Sequence, residues 1–273
     1  MEPDRAVTPP SQPAAPDARP PLPPLTPREQ AGVFLRLLAI QGSWNYELLV
    51  GNGVAFCVEP LLRRLPGGRD GVAYRAALAR QAVYFNTHPY LAGLAVGALA
   101  RAECEGVPAA RIERFRTALC GPLGSVGDRL VWASWLPACS LVALLLFGAG
   151  VSPVGVMFGF LALYNIPHLA LRHWALRAGW RYGLQVAAAL GHPVLQHAPR
   201  HLARAAAVVG GLALPLAVHR AIGGGAPTAP IPLAVAVATP VLAGALVWSQ
   251  ARVSGRRAVL ILLVLLLFFA VVR

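Results

Sequence analysis

Charge is scarce in this chain. Asp, Glu, Lys and Arg make up 13% of its 273 residues against 56% hydrophobic residues, and the mean hydropathy is +0.58. That composition lies well outside the range of ordinary soluble domains and places the chain in a membrane. Lysine is missing altogether: the 24 basic residues are arginines, set against 11 acidic ones for a net charge of +13. Such an excess raises nucleic acid as a partner. The arginines, however, are scattered at the edges of apolar stretches and form no contiguous patch with interleaved aromatics, so the pattern argues for no nucleic acid and follows the positive-inside bias of membrane loops. Cysteine is sparse as well. Cys57, Cys104, Cys120 and Cys139 show no CxxC spacing and sit in apolar or helical surroundings, which reads as buried small hydrophobes and neither a disulfide framework nor a metal site. There is no Walker phosphate loop, no GxSxG elbow, no HExxH helix and no GxGxxG after a strand, which argues against an ATP-driven pump or a self-contained enzyme; no cofactor and no metal are expected.

Residues 1–26 are rich in Pro and Ala and cannot bury a core, so they read as a disordered tail; lacking a charged n-region followed by an apolar run, the tail is expected on the cytoplasmic side. Thr26-Pro27-Arg28-Glu29 carries the signature of a helix start, with Thr26 as N-cap and Glu29 completing a capping box. An apolar helix over Val33–Ile40 meets a break at Gly42-Ser43, and a second helix is expected from about Trp44 to Leu65, stopped by Pro66-Gly67-Gly68. From Asp70 to Arg116 charges recur at helical spacing, and the only solidly apolar stretch, Leu91–Ala100, is too short to cross a hydrocarbon core of roughly 30 Å. These read as interfacial or re-entrant helices. Leu130–Leu171 carries no formal charge and has a natural break at Gly148–Pro153, giving two passes or a re-entrant hairpin plus one pass. Ala205–Val218 is a marginal span, Ile231–Trp248 a good one, and Ala258–Val272 an apolar terminal helix flanked by Arg257 and Arg273. The fold class expected is therefore an all-α integral membrane protein: a membrane domain over 27–273, with amphipathic and re-entrant helices over 27–120 and transmembrane helices over 121–273.

Two strings set uncharged hydrogen-bonding groups and aromatic rings inside apolar sequence: LLAIQGSWNY at Leu37–Tyr46 and YFNTHPY at Tyr84–Tyr90. A hexose needs amide or carboxylate partners for its hydroxyls and an aromatic plane for its C–H faces, so Gln41, Trp44, Asn45, Glu47, Asn86 and His88 are candidate sugar ligands. Packing and capping use the same residue types, and that reading stays open beside the first. On a helix Trp44 and Glu47 would share a face. Gly121, Gly124 and Gly127 recur every three residues and permit tight turns or a close approach, which makes them, with Asp128, a candidate gate or hinge. Asp128 beside a long apolar stretch is either functional or the N-cap of a helix beginning at Leu130. Farther on, Trp174, Trp180 and Tyr182 alternate with Arg172, Arg177 and Arg181 in the manner of an interfacial belt.

Four strings in this order, QGSWNYE at Gln41–Glu47, FNTHPY at Phe85–Tyr90, GPLGSVGD at Gly121–Asp128 and LRHWALRAGWRYG at Leu171–Gly183, resemble the IID membrane subunit of the mannose/fructose/sorbose family of bacterial phosphoenolpyruvate-dependent phosphotransferase systems (PTS). The resemblance covers roughly residues 30 to 185. It implies a multi-pass protein of the bacterial inner membrane that works with a IIC membrane subunit, as an oligomer of IIC–IID pairs. The pair would bind a hexose and present it to a phosphorylated cytosolic IIB, itself charged by IIA. The phosphorylated histidines would then lie on IIA and IIB, leaving no catalytic residue on this chain. Two departures stand out. Arg129 follows Asp128 where the family usually has Pro, and Gly223-Gly224-Gly225 marks a short loop where the family commonly carries a longer insertion. They give some weight to a rival reading, a non-transporting scaffold or regulator related to the subunit.

Overall fold

The computed structural model describes residues 22–221, so the tail over 1–21, the Gly223–Gly225 loop and the spans expected at Ile231–Trp248 and Ala258–Val272 lie outside the described residues. Within them the chain is helical, with isolated bridges and no strand. The capping box forms as its residues dictate: Thr26 Oγ1 accepts from the Glu29 N–H at 3.3 Å and Glu29 Oε2 accepts from the Thr26 N–H at 2.8 Å, opening α1 (Pro27–Leu38). Residues 22–26, read as the end of the tail, are docked. Leu25 is buried, and the Pro23 carbonyl accepts from the Trp180 indole at 3.3 Å.

Next come α2 (Gly51–Leu62), α3 (Val72–Gln81), α4 (Ala92–Cys104) and α5 (Ala109–Leu130). The short apolar stretch at Leu91–Ala100 becomes α4, in which every residue from Ala92 to Ala100 is buried. A helix apolar on all sides belongs inside protein, and α4 is surrounded by α1, α2, α5 and α7 (Pro153–Tyr182). Its closest partner is α7. A β-carbon on Gly93 would stand 2.7 Å from the Leu176 backbone nitrogen, and one on Gly97 2.5 Å from that of Trp180, so the two backbones touch because those side chains are missing.

A π-helical turn (Val131–Trp135) joins α5 to α6 (Leu136–Gly148) without interrupting the helix, and α8 (Ala187–Leu190) and α9 (Pro193–Ala221) follow α7. Among the described residues three helical runs are long and apolar enough to cross a membrane, Ala109–Gly148, Pro153–Gln185 and Ala187–Ala221, and their most apolar stretches are largely unburied by the protein itself. The break expected at Gly148–Pro153 is a hairpin tip, with Gly150 at φ 93° and Ser152 capping α7. Ala205–Val218, marginal by composition, lies within α9, which packs along α6.

Arginines close helix ends across the fold. Arg116 donates to the carbonyls of Gln81 (3.1 Å), Val83 (2.6 Å) and Tyr84 (2.6 Å) at and just beyond the end of α3, and Arg101 to those of Trp180 (3.0 Å) and Arg181 (2.5 Å) at the end of α7. Arg172 donates to the Leu37 carbonyl at the end of α1, and Arg220 to Phe147 and Val151 at the end of α6. Terminal helix carbonyls have no partner in their own helix and carry the negative end of the dipole; a guanidinium, with five donors, answers both needs.

Candidate functional site

The first string forms no helix. Residues 41–50 are a turn-rich loop and α2 starts at Gly51, not Trp44, because the Asn45 side chain competes successfully for the backbone: its Oδ1 accepts from the N–H of Glu47 at 3.0 Å and of Leu48 at 2.8 Å. Trp44 and Glu47 therefore do not share a helical face as expected. Leu49 adopts φ 49°, the left-handed region that a branched residue rarely enters, and bridges both Asn45 and Phe85. Two backbone bonds, Phe85 N–H to Leu48 carbonyl and Val50 N–H to Phe85 carbonyl, each 3.1 Å, fasten this loop to the second string. Gln41, Trp44 and Glu47 remain exposed on the loop, the Trp44 ring edge-on to Tyr46 at 4.8 Å.

The second string splits by side. Asn86 is exposed, while Phe85, Thr87, His88 and Tyr90 are buried. His88 Nδ1 accepts from the Tyr90 N–H at 3.1 Å, and its Nε2 is buried without a hydrogen-bonding partner among the described residues. The ring lies 4.9 Å from Tyr90 and 5.1 Å from Trp132. Burial, with the nearby Arg172 charge, pushes its pKa down to about 4, so the imidazole is neutral at ordinary pH. The third string closes over it. A β-carbon on Gly127 would collide with His88 Cβ, and one on Gly124 would sit 3.9 Å from Asn86 Nδ2, whereas Gly121 faces open space. None of the three glycines makes a turn: α5 runs through them. Asp128 is exposed within that helix and caps nothing, because the helix starts nineteen residues earlier, at Ala109, and continues through Arg129 into the π-helical turn, where Ser134 Oγ donates to the Arg129 carbonyl at 2.7 Å.

Of the six expected ligands, then, Gln41, Trp44, Glu47 and Asn86 face outward from two loops that are tied together. Asn45 and His88 are instead occupied in shaping those loops. A cavity of about 650 Å³ lies behind, walled by Tyr90, Leu130, Trp135, His168 and Leu195 among others, but its lining is nearly all carbon and offers a hexose few hydroxyl partners.

The model of the IID component of PTS systems of the mannose/fructose/sorbose family matches residues 24–223. The chain belongs to that family. It is 32% identical over 181 residues to the mannose-specific EIID component of Escherichia coli K12 (63% of this chain, 62% of that protein). It is 33% identical over 181 residues to the sorbose-specific EIID component of Klebsiella pneumoniae (63% of each). With the fructose permease IID component of Bacillus subtilis it shares 30% over 170 residues (59% of each). The match thus spans about three-fifths of the length of these relatives. Among solved structures, one titled only as a membrane protein aligns with a TM-score of 0.57 at 27% identity over 66% of each chain. A chain of the mannose transporter ManYZ, in complex with microcin E492, aligns with a TM-score of 0.54 at 22% identity over 90% of this chain and 94% of that one, a likeness of fold.

This IID chain also contains partners that its four strings did not announce. Tyr90 is the hub: its hydroxyl pairs with that of Tyr164 at 2.8 Å, its ring stacks on His168 at 4.5 Å, and the Arg172 guanidinium lies over it at 4.7 Å. Tyr164 and His168 are one helical turn apart in α7, a spacing visible in the sequence but indistinguishable there from ordinary packing. Arg172 and Trp180, expected in an interfacial belt, are buried inside the helical body, since a guanidinium and an indole N–H each find carbonyls there. Glu59 was equally silent. Its carboxylate takes Arg36 (3.1 Å), Arg63 (2.8 Å), Arg69 (3.1 Å) and the Tyr74 hydroxyl (2.9 Å). Burial raises its pKa, but these donors outweigh it and hold the carboxyl at about 2.

Proposed function

We propose that this IID chain is one half of a mannose-type sugar permease of the bacterial inner membrane, paired with a IIC subunit in an oligomer of such pairs. The pair binds a hexose and presents it to phosphorylated IIB, charged by IIA. The supporting observation is the meeting of three separate strings: the 41–50 loop is hydrogen-bonded to Phe85, and the 85–90 segment is pressed against Gly127. This turns Gln41, Trp44, Glu47 and Asn86 outward as amide, carboxylate and indole groups. An open rim of this kind binds a sugar well only when a second surface excludes water from it, which suits a site shared between subunits. Asn45 and His88 act by positioning the rim, and Gly124, Gly127 and Asp128 lie on the helix that would move with it. Phosphoryl chemistry belongs to the partners.

The named sugars of the relatives differ at nearly equal identity. Uptake and phosphorylation are therefore to be measured with labelled mannose, fructose and sorbose, in membranes carrying the chain with its IIC and phosphorylated IIB. Asn86→Ala is expected to weaken uptake of the accepted sugar about tenfold to a hundredfold, the equivalent of roughly 1 to 3 kcal/mol for a lost hydrogen bond, with the complex still assembled. Absence of uptake of every sugar by an assembled wild-type complex would replace this reading with the scaffold.

A further inference from the structure

A second concave site lies at the far end of α7, away from the rim. It is a cavity of about 570 Å³ between the docked 22–25 segment and the last turns of α7. Arg177 and Arg181 line it, one turn apart on the same helix face, and neither has an ion pair or hydrogen-bonded side-chain partner among the described residues. Two like charges at that spacing repel, and an anion between them removes the penalty. Arg101 adds a third cation, engaged with Glu105 at 2.6 Å and with the end of α7. Among the described residues no carboxylate lines the cavity.

Its remaining surface says which kind of anion. Trp174 and Tyr182 stand beside the arginines, and Leu22, Pro24 and Leu25 make an apolar wall, so the site is cationic at one side and greasy at the other. The volume far exceeds a free phosphate. It also sits where the membrane-crossing run Pro153–Gln185 ends against the arginine-rich helical body, the level at which headgroups lie. We propose that this cavity binds the phosphate of an anionic phospholipid, with Arg177 and Arg181 on the phosphate and Trp174 and Tyr182 along the glycerol and upper acyl chain. The proposal does not depend on sugar transport by the chain.

The test uses the full chain in neutral detergent, titrated with short-chain phosphatidylglycerol, phosphatidylcholine or inorganic phosphate. Bound lipid is counted by native mass spectrometry and stability is read from the melting temperature. The double variant R177Q/R181Q is compared with R200Q/R204Q, which removes two exposed arginines at the same spacing on α9, outside the cavity. Phosphatidylglycerol is expected to be retained and to raise the melting temperature where phosphatidylcholine does not. R177Q/R181Q should bind it about 30-fold more weakly, at roughly tenfold or less per charge near a headgroup surface, and R200Q/R204Q should match the wild type. Equal binding of the two lipids, equal loss in both double variants, or unchanged phosphatidylglycerol binding in R177Q/R181Q overturns the proposal. Stabilisation by inorganic phosphate that lipid does not exceed would make the ligand a soluble phosphate and overturn the lipid assignment.

Discussion

Arginine does in this chain what lysine could not. Arg116 reaches three carbonyls at and just beyond the end of α3 while its guanidinium lies 4.9 Å from the Phe85 ring centre, which fixes the approach to the Asn86–Tyr90 segment. An ammonium group can neither fork across three acceptors in one plane nor stack in the same way. Arg116→Lys should therefore lower unfolding stability by about 2 kcal/mol and loosen the 82–90 segment, read as faster amide hydrogen exchange there. His88 gives a pH signature of its own. Its folded pKa of about 4 lies below the usual 6.5, so the unfolded chain takes up the proton first. The stability it confers is complete above pH 6.5 and declines as pH falls from there towards 4. His88→Gln should be less stable at pH 7 yet flatter across that window, which paired melting curves against pH would reveal.

At the scale of elements, the helix starts and stops were the easiest to read. The Thr26–Glu29 box and the break at Gly148–Pro153 are local events, decided by residues within a few positions of one another, whereas α2, expected to run to Leu65 against Pro66-Gly67-Gly68, already ends at Leu62. The break at Gly42-Ser43 is as expected, but residues 44–50 form no helix because one side chain, Asn45, diverts two N–H groups, and apolar periodicity does not register such a competition. Asp128 looked like a cap because a carboxylate ahead of an apolar run usually is one; here α5 was already under way, stabilised by its contacts with the 82–90 segment and not by its own start. The exposed half of the candidate site was visible as residue types, but the Tyr90–Tyr164–His168–Arg172 assembly spans 82 residues of sequence and is created by packing alone. Gly127 connects the two views. Gly127→Ala should force His88 aside and reduce sugar uptake and thermal stability together, although position 127 lies behind the rim; Gly121→Ala, within α5 and with open space around it, should leave uptake unchanged and raise the melting temperature slightly. Uptake assays and melting curves on the two variants make the comparison.

At the scale of the molecule, a helical body built around the enclosed α4 continues into long apolar helices that the protein leaves uncovered for lipid. Two continuous helices join the parts: α5 runs through the π-helical turn at Val131–Trp135 into α6, and α7 runs from the hairpin tip back to α4, so Gly127 and the rim share one helix with an arm of the apolar hairpin. All four cysteines are free thiols; burial pushes Cys57 up to about 12 and Cys104 up to about 11, which keeps both unreactive while the body is intact.

The helix-closing arginines also equip the protein with its own chemical reporter. Arg116 and Arg172 are shut away, whereas Arg177, Arg181, Arg200 and Arg204 are open to solvent or headgroups. A dicarbonyl reagent such as phenylglyoxal, which attacks accessible guanidinium groups, should mark the second set at once and the first only when α1 or α3 has come away from its neighbours. Peptide mass spectrometry over a labelling time course would then record undocking helix by helix, in native membranes and without an engineered probe. Amine-directed reagents, by contrast, find no lysine side chain in this sequence to attack, so the arginines are the side chains to label.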